Sequence, residues 1–448
     1  MLAILRNRTF RHMFAAQVIA LIGTGLATVA LGLIAYDLAG ADAAMVLGIA
    51  LTIKMISYVT LAPIAAALAT QYPRRTWLVS LDILRAMVAL ALPFVTEIWQ
   101  IYVLIFAMQA ASAGFTPAFQ ATIPDILPRE EDYTQALSLS RLAYDIESLL
   151  SPALAAALLT LVAAPSLFIG TALGFFASTL FVISVTLPSP KPSAAKGFYQ
   201  RTTLGIGIYL KTPRLRGLLG FSTAAAAVSA VVIINTVVII RAELGLSQQI
   251  VALALACFGA GSMLAALILP RVLTKWHDRS VMSAGAVIAI AAQGGLGFYT
   301  LMLETALPLV LISWFASGLG YATILTPSGR LLKRSAHPED RPAVFAAQFT
   351  LSHCCWLVTY PLSGWSMSHL GMGPSLLLLN GLAVLGLFYA RRQWPANDPT
   401  NLPHRHPDLA PDHPHLTETA RRTDSASGSQ PHQHPYVIDE LHKTYPPG

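Results

Sequence analysis

The sequence predicts an all-α membrane protein with twelve transmembrane helices in two six-helix halves, followed by a disordered C-terminal tail. Hydrophobic residues make up 55% of the 448 positions and charged residues 11%, whereas about a quarter of a soluble domain is charged. Because so few charges cannot cover the surface of a soluble protein, we expect most of the surface to face lipid. Within lipid no water is present to hydrogen-bond the backbone N–H and C=O groups, so we expect the spans to be helices. Apolar runs long enough to cross the hydrocarbon layer occur at 12–36, 45–69, 77–96, 100–122, 134–161, 165–187, 217–240, 248–270, 280–301, 306–327, 343–367 and 373–391.

The positions of Lys and Arg predict the orientation. Twenty-five of the 29 fall on one set of connecting segments and termini, whereas the opposite set holds only Arg241 and the spans hold Lys54, Arg85 and Arg141. Because cytoplasmic segments carry the excess of basic residues, both termini are expected in the cytoplasm. The apolar run at 13–36 is too long for the core of a signal peptide. We therefore predict a multi-pass protein of the bacterial inner (plasma) membrane.

The chain divides into two related halves. Its longest internal connection precedes residue 217, which predicts an N-terminal half at 1–188, a cytoplasmic loop at 189–216, a C-terminal half at 217–394 and a tail at 395–448. Thr116-Pro117 recurs as Thr326-Pro327, at an offset of 210 residues. Pro152 and Pro361, at nearly the same offset, are expected to break the fifth and eleventh spans. Parallel repeats of this kind are typical of secondary transporters.

Composition and motifs exclude several functions. The net charge of +7 comes from short clusters between apolar runs, which argues against nucleic-acid binding. The chain lacks HExxH, GxSxG and phosphate-binding loop motifs, so we predict no enzyme and an ionic energy source. Its three cysteines form no disulfide or zinc pattern.

Residues 1–394 resemble the major facilitator superfamily. The connection between the second and third spans, from Pro63 to Arg75, looks like the loop signature of this superfamily, and the motif Asp82-Ile-Leu-Arg85 after it is similar to a branch of siderophore and drug exporters. Two departures are Ala65 in place of glycine and Thr70-Gln71 in place of Asp-Arg. The resemblance implies that an aspartate gating the inner side is missing from this loop, so that either gating by the loop is looser or Asp82 takes over part of its role.

Within that branch, two features look most like the nickel-resistance exporters. These are the N-terminal segment 7–17 and a histidine-bearing cytoplasmic tail. The resemblance implies that spans 2, 5, 8 and 11 flank a central cavity between the halves.

Ionisable side chains at bilayer depth are candidate transport residues, because placing them there costs several kcal/mol. Lys54, Asp145, Glu147 and His353 fall near the middle of their spans. The two carboxylates would carry protons, Lys54 would pair with one of them, and the His353 imidazole would ligate a transported metal. Alternatively, Asp145 forms a structural pair with Arg141 one helical turn away, and His353 hydrogen-bonds a neighbouring span.

Four residues near the inner surface form a candidate inner gate. Asp82 and Arg85 share one helix face, and Arg74 and Arg75 precede them. The alternative for Arg74 and Arg75 is a membrane anchor of the positive-inside kind.

The tail holds seven of the twelve histidines and is rich in Pro, Ser and Thr, which predicts disorder. Spaced imidazoles suit nickel, zinc, copper and cobalt. The alternative is a solvated linker of biased composition. The predicted metal ligands are the three His-x-His pairs His404/His406, His413/His415 and His432/His434, together with His353.

The leading prediction is proton-coupled efflux of a divalent metal, nickel first and cobalt second, which would confer resistance. The first alternative is a proton-coupled exporter of a siderophore or an amphipathic drug-like molecule, and the second is a membrane enzyme or a metal sensor without transport. The predicted partners are the lipid bilayer, protons and a small-ion or small-molecule substrate. We predict a monomer with no nucleic-acid partner and no cofactor beyond a transported or tail-bound metal.

Overall fold

The computed structural model describes residues 2–39, 43–188, 197–399, 401–404, 432–439 and 441–445. That part of the chain contains fourteen α-helices: α1 Arg8–Ala39, α2 Ala43–Ala69, α3 Arg74–Ala91, α4 Ile98–Ile126, α5 Glu130–Leu159, α6 Leu167–Ile183, α7 Phe198–Lys211, α8 Pro213–Val238, α9 Gln248–Val272, α10 Asp278–Met302, α11 Leu307–Leu325, α12 Ser328–Arg334, α13 Arg341–Leu370 and α14 Met372–Gln393. Short 3-10 turns at Leu2–Arg6, Leu92–Phe94 and Ala164–Ser166, and a π-turn at Ile239–Glu243, adjoin them.

Each of the twelve predicted spans corresponds to one long helix, which confirms the twelve-helix fold. By length and composition, ten helical stretches of the described chain suffice to cross a membrane. The other two long helices, α5 and α13, have 30 residues each. Both continue through the prolines expected to break them, Pro152 and Pro361, because a neighbouring helix can satisfy the backbone groups that a proline frees.

Two helices were not predicted. α7 lies within the long connection between the halves, and α12 follows the Thr326-Pro327 motif. Neither is long enough to cross a bilayer, because a spanning helix needs about 20 residues. Both instead pack against the ends of the long helices, α7 against α2, α8 and α13, and α12 against α5, α8 and α13.

The two halves repeat one packing pattern. In the first half, α1 packs on α5 and α6, α3 packs on α4 and α6, and α2 packs on α4. The equivalent helices of the second half make the same pairings: α8 packs on α13 and α14, α10 packs on α11 and α14, and α9 packs on α11. Between the halves, α2 lies against α13 and α5 lies against α9. The junction is therefore formed by the second and fifth long helices of each half.

Small residues bring some helices into close contact, as in many membrane proteins. Where α9 meets α11, a Cβ atom on Gly261 would lie 1.9 Å from the carbonyl oxygen of Phe315. A Cβ atom on Gly318 would lie equally close to the carbonyl oxygen of Phe258. The two backbones therefore touch, and no larger residue fits at either position. The outer surface is apolar, with side chains such as Leu180 and Phe388 mostly exposed, as expected for a lipid-facing bundle.

The described parts of the tail form a small docked unit. The strands β1 (Asn401–His404) and β2 (His432–Pro435) pair antiparallel, with Leu402 opposite His434. The tail was predicted to be disordered; residues 405–431, which include His406, His413 and His415, lie outside the described residues. Three consecutive apolar residues after β2, at 436–438, are buried against the second half. This burial is what orders the end of the tail.

Candidate functional site

A charged network on α5 holds the two halves together at mid-depth. Arg141 forms an ion pair with Asp145 one turn along α5, which is the structural alternative considered from the sequence. Ser262 on α9 donates a hydrogen bond to Asp145 (2.7 Å) and accepts one from Arg141 (3.0 Å). The guanidinium also lies 4.9 Å from the ring centroid of Tyr321 on α11. Asp145 therefore belongs to a fixed contact between α5, α9 and α11.

Glu147 and Lys54 have a different environment. The Glu147 carboxylate and the Ser151 hydroxyl both lie against Gly25 of α1, where a Cβ atom would collide with them. Lys54 on α2 is close enough for its charge to interact with that of Glu147. Among the described residues no ion pair within 4.0 Å joins these two. The charges of Glu147 and Lys54 can therefore interact, while no direct ion pair among the described residues fixes the two side chains together.

Aromatic rings cluster beside Lys54, where α2 meets α13. The Lys54 ammonium lies 5.7 Å from the centroid of the Tyr58 ring. That ring lies 4.8 Å from Phe349 and 4.9 Å from His353, and His353 is followed by Trp356 at 5.4 Å. The His353 Nδ1 lies 2.6 Å from the carbonyl oxygen of Phe349. Of the four predicted transport residues, Lys54, Glu147 and His353 thus share one region, and Asp145 does not. We call this region the aromatic cavity, after the central cavity expected between the halves.

Among the described residues of the bundle, no group of metal ligands converges around His353. Cys355 is turned toward α8, where its Sγ lies 3.4 Å from the Thr223 hydroxyl. In the part of the chain that the structure describes, the group of three His, Cys, Asp or Glu side chains that converge closely enough for an ion is His404, His434 and His442, in the tail. A divalent cation needs several such donors. The cavity chemistry is therefore aromatic and charged, with a single imidazole.

The predicted inner-gate residues are not all at one place. Asp82 is buried inside the first half, where it pairs with Arg85 and accepts a hydrogen bond from Ser178 of α6 (2.7 Å). The Arg85 guanidinium lies between the rings of Phe115 and Phe175, at 4.0 and 4.6 Å. Asp82 and Arg85 therefore stabilise the first half and do not form a gate, because they lie two turns inside α3. Arg75 is exposed, and only Arg74 of the four reaches the junction between the halves.

An aspartate that the sequence did not single out forms the gate contact of Arg74. Asp125, near the end of α4, accepts a hydrogen bond from the Arg74 guanidinium (2.6 Å) and also forms an ion pair with Arg341 at the start of α13. Arg74 also donates to the Pro188 carbonyl (3.1 Å). One carboxylate thus links both halves where α3 and α13 begin. We call this end of the bundle the basic face.

A second group of ion pairs lies beside the first on the basic face. Arg330 of α12 pairs with Glu130 of the first half (2.5 Å) and with Asp278 of α10 (3.0 Å). Arg334 also pairs with Asp278 (3.4 Å), and Lys333 donates to the Pro128 carbonyl (2.6 Å). The ion pairs of Asp125 and of Arg330, which we call the basic-face gate, close this end of the junction.

The sequence indicates the region of these gate residues, although not their pairing. Pro128-Arg129-Glu130 has a counterpart 210 residues later, Pro338-Glu339-Asp340, and the two segments flank the gate in the two halves. Asp125 and Arg341 lie within three residues of those motifs. The pairing between them joins positions far apart in the sequence, and periodicity within one helix carries no information on such a contact.

The sequence pattern of the Major Facilitator Superfamily matches this chain over residues 13–238 and again over 218–423. The chain belongs to the Major Facilitator Superfamily. Proteins of this superfamily are transporters, so the chain is a multi-pass membrane transporter of secondary type.

Among curated relatives of this superfamily member is the uncharacterised MFS-type transporter YfiS of Bacillus subtilis, which is 25% identical over 295 residues, 64% of this chain and 70% of that protein. YvqJ of the same organism is 23% identical and covers 82% of this chain and 88% of its own. The macrolide efflux protein A of Streptococcus pyogenes is 25% identical over 40% of this chain and 45% of its own.

Solved structures of the superfamily share the fold. The human organic anion transporter MFSD10 superposes with a TM-score of 0.74 at 12% identity, covering 86% of this chain and 99% of that one. A bacterial homologue of the iron transporter ferroportin, in an outward-facing state, superposes with a TM-score of 0.71 at 13% identity and covers 86% and 99%. At such low identity the likeness shows the fold alone.

The gate geometry gives a first prediction. Asp125→Asn should loosen the basic-face gate, because Arg74 and Arg341 then lack their shared anion. Losing one partner of a buried pair costs about 3–5 kcal/mol, and ~1.4 kcal/mol already changes an equilibrium tenfold. A cysteine introduced in place of Ser138, which is fully buried on α5 one turn beyond Thr134, should then be alkylated about tenfold faster.

The matched control is Asp132→Asn, which removes the exposed ion pair with Arg129 within the first half. Equal rates in both variants would contradict a gating role for Asp125.

Proposed function

We propose that this protein exports amphipathic organic molecules, neutral or anionic and of the siderophore or drug-like kind, in exchange for protons. The observation that carries the proposal is the cluster of Tyr58, Phe349, His353 and Trp356 around Lys54, between the halves. Ligand sites for organic molecules are lined by aromatic and apolar side chains with a few polar groups. The fixed positive charge of Lys54 favours an anionic or neutral cargo over a bare cation.

Glu147 is the proposed proton carrier. It is a carboxylate beside the cavity with no direct ion pair to Lys54 among the described residues, whereas Asp145 is held by Arg141 and Ser262. When Glu147 is deprotonated, its carboxylate accepts a hydrogen bond from a hydroxyl or amide group of the cargo, while the charge of Lys54 attracts an anionic group of the cargo. When Glu147 takes up a proton, it loses its charge and holds the cargo less tightly, so the cargo is released. Cargo and proton therefore bind in alternation, which couples the two fluxes as an exchange.

The charge distribution supports export from the cytoplasm. The basic face carries the gate arginines and most of the connecting segments rich in Lys and Arg, which favours the cytoplasmic side of the bacterial inner membrane for this face. Both termini would then be cytoplasmic. The ion pairs of the basic-face gate are formed in the conformation described here, as expected of a carrier closed to the cytoplasm.

Replacing Glu147 tests the proton coupling. In inside-out vesicles, Glu147→Gln should reduce pH-gradient-driven uptake of a macrolide and of an anionic aromatic dye to background, because a neutral amide carries no proton. Binding of the same probes to the purified protein should persist. Glu131→Gln changes an exposed carboxylate on the same helix and should transport normally. Full proton-coupled transport by Glu147→Gln would contradict the assignment of Glu147 as the proton carrier.

Replacing Phe349 tests the aromatic cavity. Phe349→Leu keeps an apolar side chain but removes the ring that contacts both Tyr58 and His353. An aromatic contact contributes about 0.5–1.5 kcal/mol beyond burial, so the transport KM should rise by up to about tenfold with little change in kcat. The control is Phe388→Leu on the lipid-facing surface. An unchanged KM for every probe would contradict cargo binding at these rings.

Efflux of a divalent metal, nickel first and cobalt second, is the second candidate. The observation that favours it is the convergence of His404, His434 and His442 in the tail, and His353 would be the ligand in the cavity. Cells that express the full chain should then tolerate more Ni²⁺ or Co²⁺ than cells that express a chain ending at Trp394. Equal growth with and without the protein on Ni, Co, Zn and Cu would exclude metal efflux and leave the organic-export proposal intact.

A further inference from the structure

The end of the tail is attached to the second half by specific contacts. Arg214, at the start of α8, donates to the carbonyl oxygen of Tyr436 (3.3 Å) and to Ser335 (2.8 Å), and pairs with Asp398 (3.2 Å). The Tyr436 hydroxyl donates to the Thr444 carbonyl (2.8 Å). The segment after β2 therefore folds back on itself over the connection between α12 and α13.

Three histidines meet within this docked unit. One ring nitrogen each of His404, His434 and His442 lies within 4.8 Å of those of the other two. The Nε2 atoms of His404 and His442 are 3.0 Å apart. His442 belongs to none of the His-x-His pairs that the sequence suggested as ligands, and the fold alone brings it to the other two.

The opposite ring nitrogen of each histidine faces an oxygen acceptor. The Nδ1 atoms of His404 and His434 lie 2.9 Å from the carbonyl oxygens of Leu402 and Pro435. The Nδ1 of His442 lies 2.8 Å from Oδ1 of Asp439. A carbonyl or carboxylate oxygen only accepts, so each Nδ1 carries a hydrogen, and in the neutral ring Nε2 then carries the lone pair. Metal-binding histidines are oriented in this way by backbone carbonyls and carboxylates.

The Nε2 atoms of His404 and His442, 3.0 Å apart, can share a proton or bind one cation. A shared proton joins two rings, whereas a ring nitrogen from each of the three histidines converges here. A divalent cation would engage all three. Three imidazoles suit borderline ions such as Zn²⁺, Ni²⁺ and Co²⁺, and three protein ligands leave a further coordination position for water.

The cluster is connected to the basic-face gate. The second oxygen of Asp439 lies 3.2 Å from Nε2 of His337, which lies in the connection between α12 and α13. Four residues further on, Arg341 begins α13 and pairs with Asp125 of the first half. The carboxylate that orients His442 therefore also contacts the segment that carries one half of the gate.

We propose that His404, His434 and His442 bind one borderline divalent cation, and that the bound ion holds the end of the tail against the connection between α12 and α13. The ion at this site acts as a ligand that regulates the transporter. The site is separate from the aromatic cavity, so the proposal does not depend on what the cavity transports. Metal in the cytosol would thereby alter the stability of the closed gate.

Binding of Co²⁺ to the full-length protein in detergent, followed by visible absorption and calorimetry, tests the site. The wild-type chain should show one tight Co²⁺ site, competed by Zn²⁺, that His442→Ala removes. Asp439→Ala should weaken it about 10–100-fold, as loss of an orienting carboxylate does. The matched control, His413→Ala with His415→Ala, removes two tail histidines other than the three proposed ligands and should leave the tight site intact.

Two results would overturn the binding site. One is unchanged Co²⁺ affinity in His442→Ala, and the other is an equal loss in that variant and in the His413/His415 control, which would mean that the tail histidines chelate collectively. His434→Ala provides a second test if His442→Ala fails to fold, and monodisperse elution with the wild-type melting temperature in the absence of metal shows which variants are folded.

Hydrogen exchange measures the docking. Co²⁺ should slow exchange of the amides in residues 432–445 and in residues 335–340 of the wild-type chain, and should leave both unchanged in His442→Ala. Tight binding of Co²⁺ with no change in exchange at either segment would show that the ion does not hold the tail to the bundle.

Discussion

The structure depends on one constraint, which is that a charge buried between lipid-exposed helices must be compensated. Asp82 is surrounded by Arg85 and Ser178, and Asp145 by Arg141 and Ser262. Breaking such a pair costs about 3–5 kcal/mol, so these contacts fix the helices that carry them. Glu147 and Lys54 are near each other without a direct pair among the described residues. That difference separates the charges that hold the bundle together from the charges that are free to change partners.

The same constraint explains how the halves are joined. At mid-depth the Arg141 network crosses from α5 to α9 and α11, and at the basic face Asp125 and Arg330 cross between the halves. Close backbone contact such as that of α9 with α11 lies within one half, whereas the ion pairs of Asp125 and Arg330 cross between the halves. If the halves move relative to each other, these ion pairs are the contacts that we expect to break. The loop after α2 lacks its usual aspartate, and Asp125 supplies the acidic partner of Arg74.

Two kinds of ligand chemistry occupy separate places in the molecule. The cavity has aromatic rings, one imidazole and a lysine, which favours an organic cargo. The tail has three oriented imidazoles within reach of one ion, which favours a borderline metal. The sequence contains both the intramembrane residues and the tail histidines, and it therefore suggested a single function, metal efflux, that uses both sets. In the fold the aromatic cavity and the tail histidines are separate sites, and the basic-face gate is connected to the tail site.

The sequence by itself determined the twelve long helices and their division into two repeats, because hydrocarbon thickness and helical rise constrain the length of a spanning helix locally. It also identified the i,i+4 pair of Arg141 and Asp145. Only the tertiary structure decided that Asp82 lies inside one half, that Asp125 bridges two arginines, and that His442 joins His404 and His434. Those contacts link positions tens to hundreds of residues apart, and their partners are chosen by packing, which no local period in the sequence records.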